Sequence, residues 1–264
     1  MDLQLKGKKA FVSGSTAGIG FAIAKKLAEE GATVTLNGRT QQRVDDALAA
    51  IAREVPHAHL EGIAADFSKP AAISALAPQL ANTDILVNNV GIFTSQTFDE
   101  TPDEDWYRLF EVNVMSGVRL SRLCLPHMLR QNWGRILFIS SECALLVPDN
   151  LIAYSTTKAA LHALSRGLAH TVKGTAVTVN TLMPGSTLSE GATRFLQETA
   201  ERSGISAREA ADQFFREVRT SSLIQRFIDP EEIANMAAFM ASPLSAATHG
   251  ASIRLEGGSI TSAF

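Results

Sequence analysis

Short apolar runs alternate with longer stretches of helical periodicity along the whole chain, and this pattern narrows the possible folds more than any other feature. Ala10-Phe11-Val12, Val34-Thr35-Leu36, Ile63-Ala64-Ala65, Ile85-Leu86-Val87, Arg135-Ile136-Leu137-Phe138-Ile139, Val177-Thr178-Val179-Asn180 and Ala251-Ser252-Ile253-Arg254-Leu255 read as strands. Stripes at Ile19, Ile23 and Leu27 and at Val44, Leu48 and Ile51 read as helices. So do the stretches from about Pro102 to Gln131, from about Ile152 to Thr171, and after Pro230-Glu231-Glu232. Seven apolar strands in such alternation call for a parallel sheet covered by helices on both faces. Right-handed crossovers wind it into a Rossmann-type, doubly wound α/β fold. No linker, repeat or low-complexity tract interrupts the 264 residues, so residues 1–264 are expected to form a single domain. One segment breaks the rhythm. From Ser186 to Ser222 the chain is charged and helical, with Phe195, Leu196, Phe214 and Phe215 as apolar anchors. An insert of this kind beside strand ends is expected to be a small helical substrate lid.

Composition excludes several partners. A net charge of −3 and a pI near 6.1 argue against a nucleic-acid or anionic-membrane surface. No apolar run reaches the roughly 18 residues of a membrane span. The start, Met1-Asp2-Leu3-Gln4-Leu5-Lys6, lacks the basic-then-apolar order of a signal peptide, and a cytoplasmic protein is expected. Cys124 and Cys143 form no C-x-x-C pair, and His57, His59, His127, His162, His170 and His249 have no ligand spacing, so no metal site is expected.

The first strand runs into Ser13-Gly14-Ser15-Thr16-Ala17-Gly18-Ile19-Gly20. Glycines at 14, 18 and 20 allow a tight strand-to-helix turn in which a pyrophosphate approaches backbone N–H groups and the positive end of the helix. A dinucleotide is therefore expected along Gly14, Ser15, Thr16, Gly18, Ile19 and Gly20. An acid at the end of the second strand would accept from both ribose hydroxyls and repel a 2′-phosphate. This chain has Asn37-Gly38-Arg39 there. Arg39 can fork onto a phosphate and Gly38 leaves room for it, which favours NADP(H) while leaving NAD(H) possible.

Tyr154-Ser155-Thr156-Thr157-Lys158 puts a phenol and an ammonium at i and i+4 on one helix face, about 6 Å apart along the axis. Ser141 closes the fifth strand. Strand C-terminal ends and the following helix N-termini line the ligand crevice of a parallel sheet, so Ser141 and Tyr154 can meet over a bound cofactor.

With these residues the sequence resembles the single-domain branch of the short-chain dehydrogenase/reductase family over essentially its whole length. The resemblance rests on the glycines at 14, 18 and 20, Asp66, Asn88-Asn89-Val90-Gly91, Asn113, Ser141, Tyr154, Lys158 and Pro184-Gly185. Ser13 stands where threonine is usual, Val90 where alanine is usual, and Ala17 where NADP-binding relatives often carry a second basic group. The thirteen-residue spacing to Tyr154 selects Ser141 over Ser140. The resemblance implies a hydride transfer between NADP(H) and a carbonyl or secondary alcohol. Tyr154 would be the acid/base, its phenol eased toward ionisation by the Lys158 ammonium and the oxidised nicotinamide together. Lys158 would also hold the nicotinamide ribose, Ser141 would bind the substrate oxygen, and Asn113 would position a water linking Lys158 to solvent. Asp66 with Phe67 would meet the adenine, and the backbone from Asn88 to Gly91 would flank the adenosine ribose. Beyond Pro184 and Gly185, the Thr187 backbone and the Ser189 hydroxyl would hold the carboxamide.

The substrate pocket is expected from Phe93, Ser141, Glu142, Leu145 and Val147, whose apolar character suits a hydrophobic or cyclic ketone, or a 3-oxoacyl group. Glu142 could instead mark a cationic or polyhydroxy substrate, or face solvent. Arg194, Arg202, Arg216 and Arg219 in the insert, interleaved with Glu198, Glu201 and Glu217, read as a salt-bridged solvated helix or as a rim for a thioester carrier. The second functional reading is a non-catalytic NAD(P)-binding redox sensor on the same fold. The resemblance also implies a homotetramer or homodimer, and Ala159, Ala160, Ala163 and Gly167 offer a face of small residues for it.

Overall fold

The computed structural model describes residues 1–263. Strands β1 (Lys9–Val12), β2 (Thr33–Gly38), β3 (His59–Ala64), β4 (Ile85–Asn88), β5 (Gly134–Ile139), β6 (Val177–Pro184) and β7 (Ser252–Leu255) form one sheet. Its order is β3-β2-β1-β4-β5-β6-β7, and all neighbouring pairs are parallel. The helices are α1 (Gly18–Glu29), α2 (Gln41–Glu54), α3 (Pro70–Ser74), α4 (Ala77–Leu80), α5 (Asp103–Phe110) and α6 (Ser116–Arg130). They continue as α7 (Cys143–Leu146), α8 (Ile152–Thr171), α9 (Glu190–Ser203), α10 (Ala207–Glu217) and α11 (Pro230–Ala241).

Alternate strand residues feed two cores. Ala10, Val12, Ile85, Val87, Leu137 and Ile139 pack under α1, α2 and α11, while Phe11, Leu86, Ile136 and Phe138 pack under α3, α4, α6 and α8. The order reverses between β1 and β4, and the crevice at that switch point collects the functional loops.

Two expectations shift in detail. The third strand begins at His59 rather than Ile63; as an edge strand it is only partly buried, so its apolar signal is short. The long helix expected from Pro102 to Gln131 is interrupted by a π turn over Glu111–Met115, centred on Asn113. The 186–222 insert forms α9 and α10, the second opened by a capping box between Ser206 and Glu209. Leu196, Ala200 and Ala210 give it a small core of its own, distinct from those of the sheet.

Candidate active site

The glycine turn and the end of β4 lock together as one rigid unit. Gly14 (φ +61°) and Gly18 (φ +56°) adopt the left-handed conformation that the turn demands. The Ser13 hydroxyl donates to Val87 O and accepts from the N–H groups of Asn89 and Val90. The Asn89 amide donates to the carbonyls of Ser13 and Gly14. A Cβ on Gly20 would stand 2.3 Å from that amide nitrogen, so the third glycine is a packing requirement. Ala17 precedes α1 without any side-chain cap, which leaves the first N–H groups of the helix to an anion.

One expected dinucleotide contact is corrected, and two others are narrowed to the main chain. Ser15 turns inward: its hydroxyl donates to Val12 O and accepts from Asn37 N–H, and its own N–H donates to Asn37 O. Asn88 lies at a strand register that faces the helix layer, and its amide reaches toward Ser121. The Phe67 ring is buried 6.4 Å from Phe11, so only its main chain faces outward. Gly38 lines the cavity described next, and a Cβ there would be 2.5 Å from a Thr16 methyl, so the position requires glycine.

Beside the turn opens a cavity of about 520 Å³ whose wall includes Thr16, Arg39, Arg43, Asp66, Val90 and Arg108. Arg39 is exposed and enters no ion pair among the described residues. Arg43, held 3.6 Å from Glu190, and Arg108, held 2.8 Å from Asp105, were not visible in the sequence as site residues. Arg108 comes from α5, and no local spacing signals that it would arrive here. The Asp66 carboxylate accepts from both the N–H and the hydroxyl of Ser68, which holds its pKa below the ordinary value. An uncapped helix start and a basic cavity together fit a pyrophosphate-containing dinucleotide.

At the end of β5 and the start of α8 the candidate catalytic residues converge. Lys158 is buried, its Nζ donates to Ile139 O at 2.9 Å, and it lies 5.6 Å from the Tyr154 ring centroid. Burial lowers its pKa to about 8. A Cβ on Gly91 would stand 3.1 Å from Nζ and 3.7 Å from Asn113 Oδ1, so the bare glycine makes room for the ammonium. Asn113 Oδ1 accepts from Ile92 N–H, and its Nδ2 donates to Ile92 O and Thr157 Oγ1. Both Nδ2 hydrogens are therefore used within the protein, while Oδ1 keeps one lone pair free. Ser140 donates its hydroxyl to Lys158 O and meets His162 Nε2 at 2.8 Å. It is thus a buried pin, whereas Ser141 is partly open, with its Oγ accepting from Cys143 N–H.

The phenol of Tyr154 is not eased toward ionisation by the protein alone. Burial raises its pKa, Cys143 and Glu142 add to the rise, and the Ser141 hydroxyl opposes it. The edge of Phe93, 66% exposed, packs on the Tyr154 ring with centroids 6.0 Å apart. Leu145 and Val147 are also open to solvent, and Val147 holds φ +43°, a strained value for a β-branched residue.

Glu142 does not line the pocket. It is buried, accepts from Arg219 Nε at 2.7 Å and from the Ser186 hydroxyl, and faces Gly185. Buried and ion-paired in this way, its carboxylate is not open to a substrate. Arg219 is accordingly no part of a solvated ion-pair helix, and Arg194, Arg202 and Arg216 form no ion pairs among the described residues. Pro184 O accepts from Glu142 N–H, while Gly185 N–H donates to Leu255 O. Thr187 donates its hydroxyl to Gly185 O. The Ser189 hydroxyl caps α9 by accepting from Ala192 N–H, and its Cβ lies 3.7 Å from where a Cβ on Gly18 would be.

Comparison with known proteins agrees with this arrangement. The family model described as short chain dehydrogenase matches residues 8–200. The chain is 44% identical over 264 residues to the uncharacterized oxidoreductase YvaG of Bacillus subtilis, covering 100% of both chains. It is 32% identical to a D-beta-hydroxybutyrate dehydrogenase of Cupriavidus necator, over 96% of this chain and 98% of that one. Among solved structures, the L-sorbose reductase of Gluconobacter frateurii, complexed with NADPH and L-sorbose, superposes with a TM-score of 0.93 at 31% identity, covering 99% of this chain and 100% of that one.

Proposed function

The chain belongs to the short-chain dehydrogenase/reductase family, and from that premise we propose that it is an NADP(H)-dependent ketone reductase of the cytoplasm, working as a homotetramer or homodimer. The observation that carries the reading is the convergence of Ser141, Tyr154 and Lys158 at one end of the sheet, beside the uncapped glycine turn. A nicotinamide bound there supplies the hydride and, when oxidised, a positive charge. Tyr154 delivers the proton to the carbonyl oxygen, and Ser141 holds that oxygen by a hydrogen bond. Lys158, whose ammonium packs over Gly91, holds the nicotinamide ribose and replaces the proton that Tyr154 gives up. Its pKa near 8 suits a group that passes protons near neutrality.

NADP(H) over NAD(H) is supported by Arg39, Arg43 and Arg108 around the adenosine cavity, with no acid at the end of β2. The solved reductase with NADPH points the same way. Phe93, Leu145 and Val147 form an apolar mouth, which favours a ketone with a hydrophobic flank such as a cyclic ketone or a 3-oxoacyl group. Two free, buried cysteines are at home in a reducing compartment.

A panel of ketones read at 340 nm with NADPH and NADH side by side tests the reading. It should include a cyclic ketone, a 3-oxoacyl thioester and L-sorbose. Tyr154→Phe is expected to lower turnover at least a thousandfold and to leave the NADPH dissociation constant within threefold. Normal turnover by that variant would remove Tyr154 as the acid.

A further inference from the structure

Glu142 directly follows the serine of the reactive set, and its partner comes from the far end of the insert. Arg219 lies just beyond α10, its N–H donating to Phe214 O and its guanidinium 5.7 Å from the Phe214 ring centroid. Phe214 in turn stacks on Phe227 at 5.1 Å, so the arginine is anchored to the aromatic base of the insert. From there Nε reaches Glu142 Oε1 at 2.7 Å, with side chains 14% and 3% exposed respectively. The Ser186 hydroxyl donates to the same oxygen. The other oxygen, Oε2, is buried with no hydrogen-bond partner and lies 2.9 Å from where a Cβ on Gly185 would be.

A buried carboxylate held through one oxygen by a single arginine depends on that arginine, because removing it leaves an uncompensated charge away from water. We infer that Arg219 is a positioning residue: it latches the 186–222 insert onto the loop after Ser141 and, by pairing with Glu142, limits how strongly that carboxylate's charge acts on the Tyr154 hydroxyl. The second half rests on the reading of Tyr154 as the acid/base.

The surroundings of the phenol are few and can be named. Glu142 and Cys143 disfavour the phenolate, Ser141 favours it, Lys158 lies beyond the ring, and Phe93 covers the ring with an apolar edge. On the Glu142 side stand Arg219, Ser186 and the backbone of Glu256, whose own carboxylate is taken by Arg254. An insert that swings away carries the one cation paired with Glu142 with it, so closure of the insert and ease of ionising Tyr154 change together.

Two readouts test this on the full chain. Amide hydrogen exchange is compared for wild type, Arg219→Met, Glu142→Gln and the double variant. The α9 and α10 amides of Arg219→Met should exchange at least tenfold faster, with the sheet amides unchanged. The pH profile of kcat/KM for alcohol oxidation, which needs the phenolate, should move up by about one unit in Arg219→Met. In the double variant, which buries no charge and keeps its fold if the single variant loses it, the profile should return toward wild type while the insert stays loose. Exchange within twofold of wild type in Arg219→Met overturns the latch. A double-variant profile displaced as far as that of Arg219→Met overturns the charge coupling. Exchange needs no turnover, so a wild-type chain that reduced no carbonyl would sink the Tyr154 reading and leave the latch to be decided by exchange.

Discussion

Lys158 shows at the scale of one residue what an active site costs the fold. Its ammonium is buried with a single protein partner, the Ile139 carbonyl, and burial lowers its pKa from 10.5 to about 8. Between pH 8 and 10.5 the unfolded chain binds a proton that the folded chain has released, so stability rises with pH across that window, and below about 8 the full penalty remains. Lys158→Met is therefore expected to raise stability at pH 7 by about 1–3 kcal/mol, measured by denaturant unfolding, while abolishing turnover. Arg39 is the complementary case, exposed and without an ion pair among the described residues. A charge-assisted fork onto a phosphate contributes about 1.5–3 kcal/mol, so Arg39→Asp should raise KM for NADPH by about 10–100-fold and leave KM for NADH nearly unchanged. Equal losses with both cofactors would remove Arg39 as the phosphate reader. The residue types in the sequence made both positions legible. The inward commitments of Ser15 and Asn88 were not, because a serine or asparagine after a strand gives no sign of which face it will take.

The elements around the site carry strain and irregularity that periodicity does not report. The 102–131 stretch reads as one helix, yet a π turn at Glu111–Met115 rotates Asn113 onto Ile92 and Thr157. The extra residue is invisible to a helical stripe, which tolerates one register shift between two regular halves. Val147 ends α7 at φ +43°, where a β-branched side chain is disfavoured. The conformation leaves the valine side chain exposed, at the mouth proposed for the substrate. Val147→Gly should relieve about 1–2 kcal/mol of backbone strain and raise Tm by about 2–6 °C, with a weaker KM for the ketone as the cost. A Tm that stays the same or falls would mean that the valine packs well enough to offset its backbone.

For the whole molecule, exposed surface suggests association. Tyr107 and Phe110 stand open on α5, beside a cavity of about 860 Å³ lined by Trp106 and Met115. On α8, Ala159, Ala163 and Gly167 lie exposed in one stripe, with open space above Gly167. Light scattering at micromolar concentration is expected to report a tetramer or dimer, and Ala163→Arg to reduce its mass; a monomeric wild type would refute the assembly. Among the described residues no helix is long and apolar enough to cross a membrane. The seven-stranded parallel sheet, the glycine turn and the Ser141–Tyr154–Lys158 set were determined by sequence alone, because each rests on local spacing: two-residue alternation, one helical turn, three bare Cα positions. Only the tertiary structure decided that Arg108 joins Arg39 at the cavity beside the glycine turn and that Glu142 is buried against Arg219. It also decided that burial, with Cys143 and Glu142 beside it, pushes the Tyr154 phenol above its ordinary value. Those outcomes depend on which side of a strand end a chain folds back over and on how much water it expels, and neither quantity is written in the distance between residues along the chain.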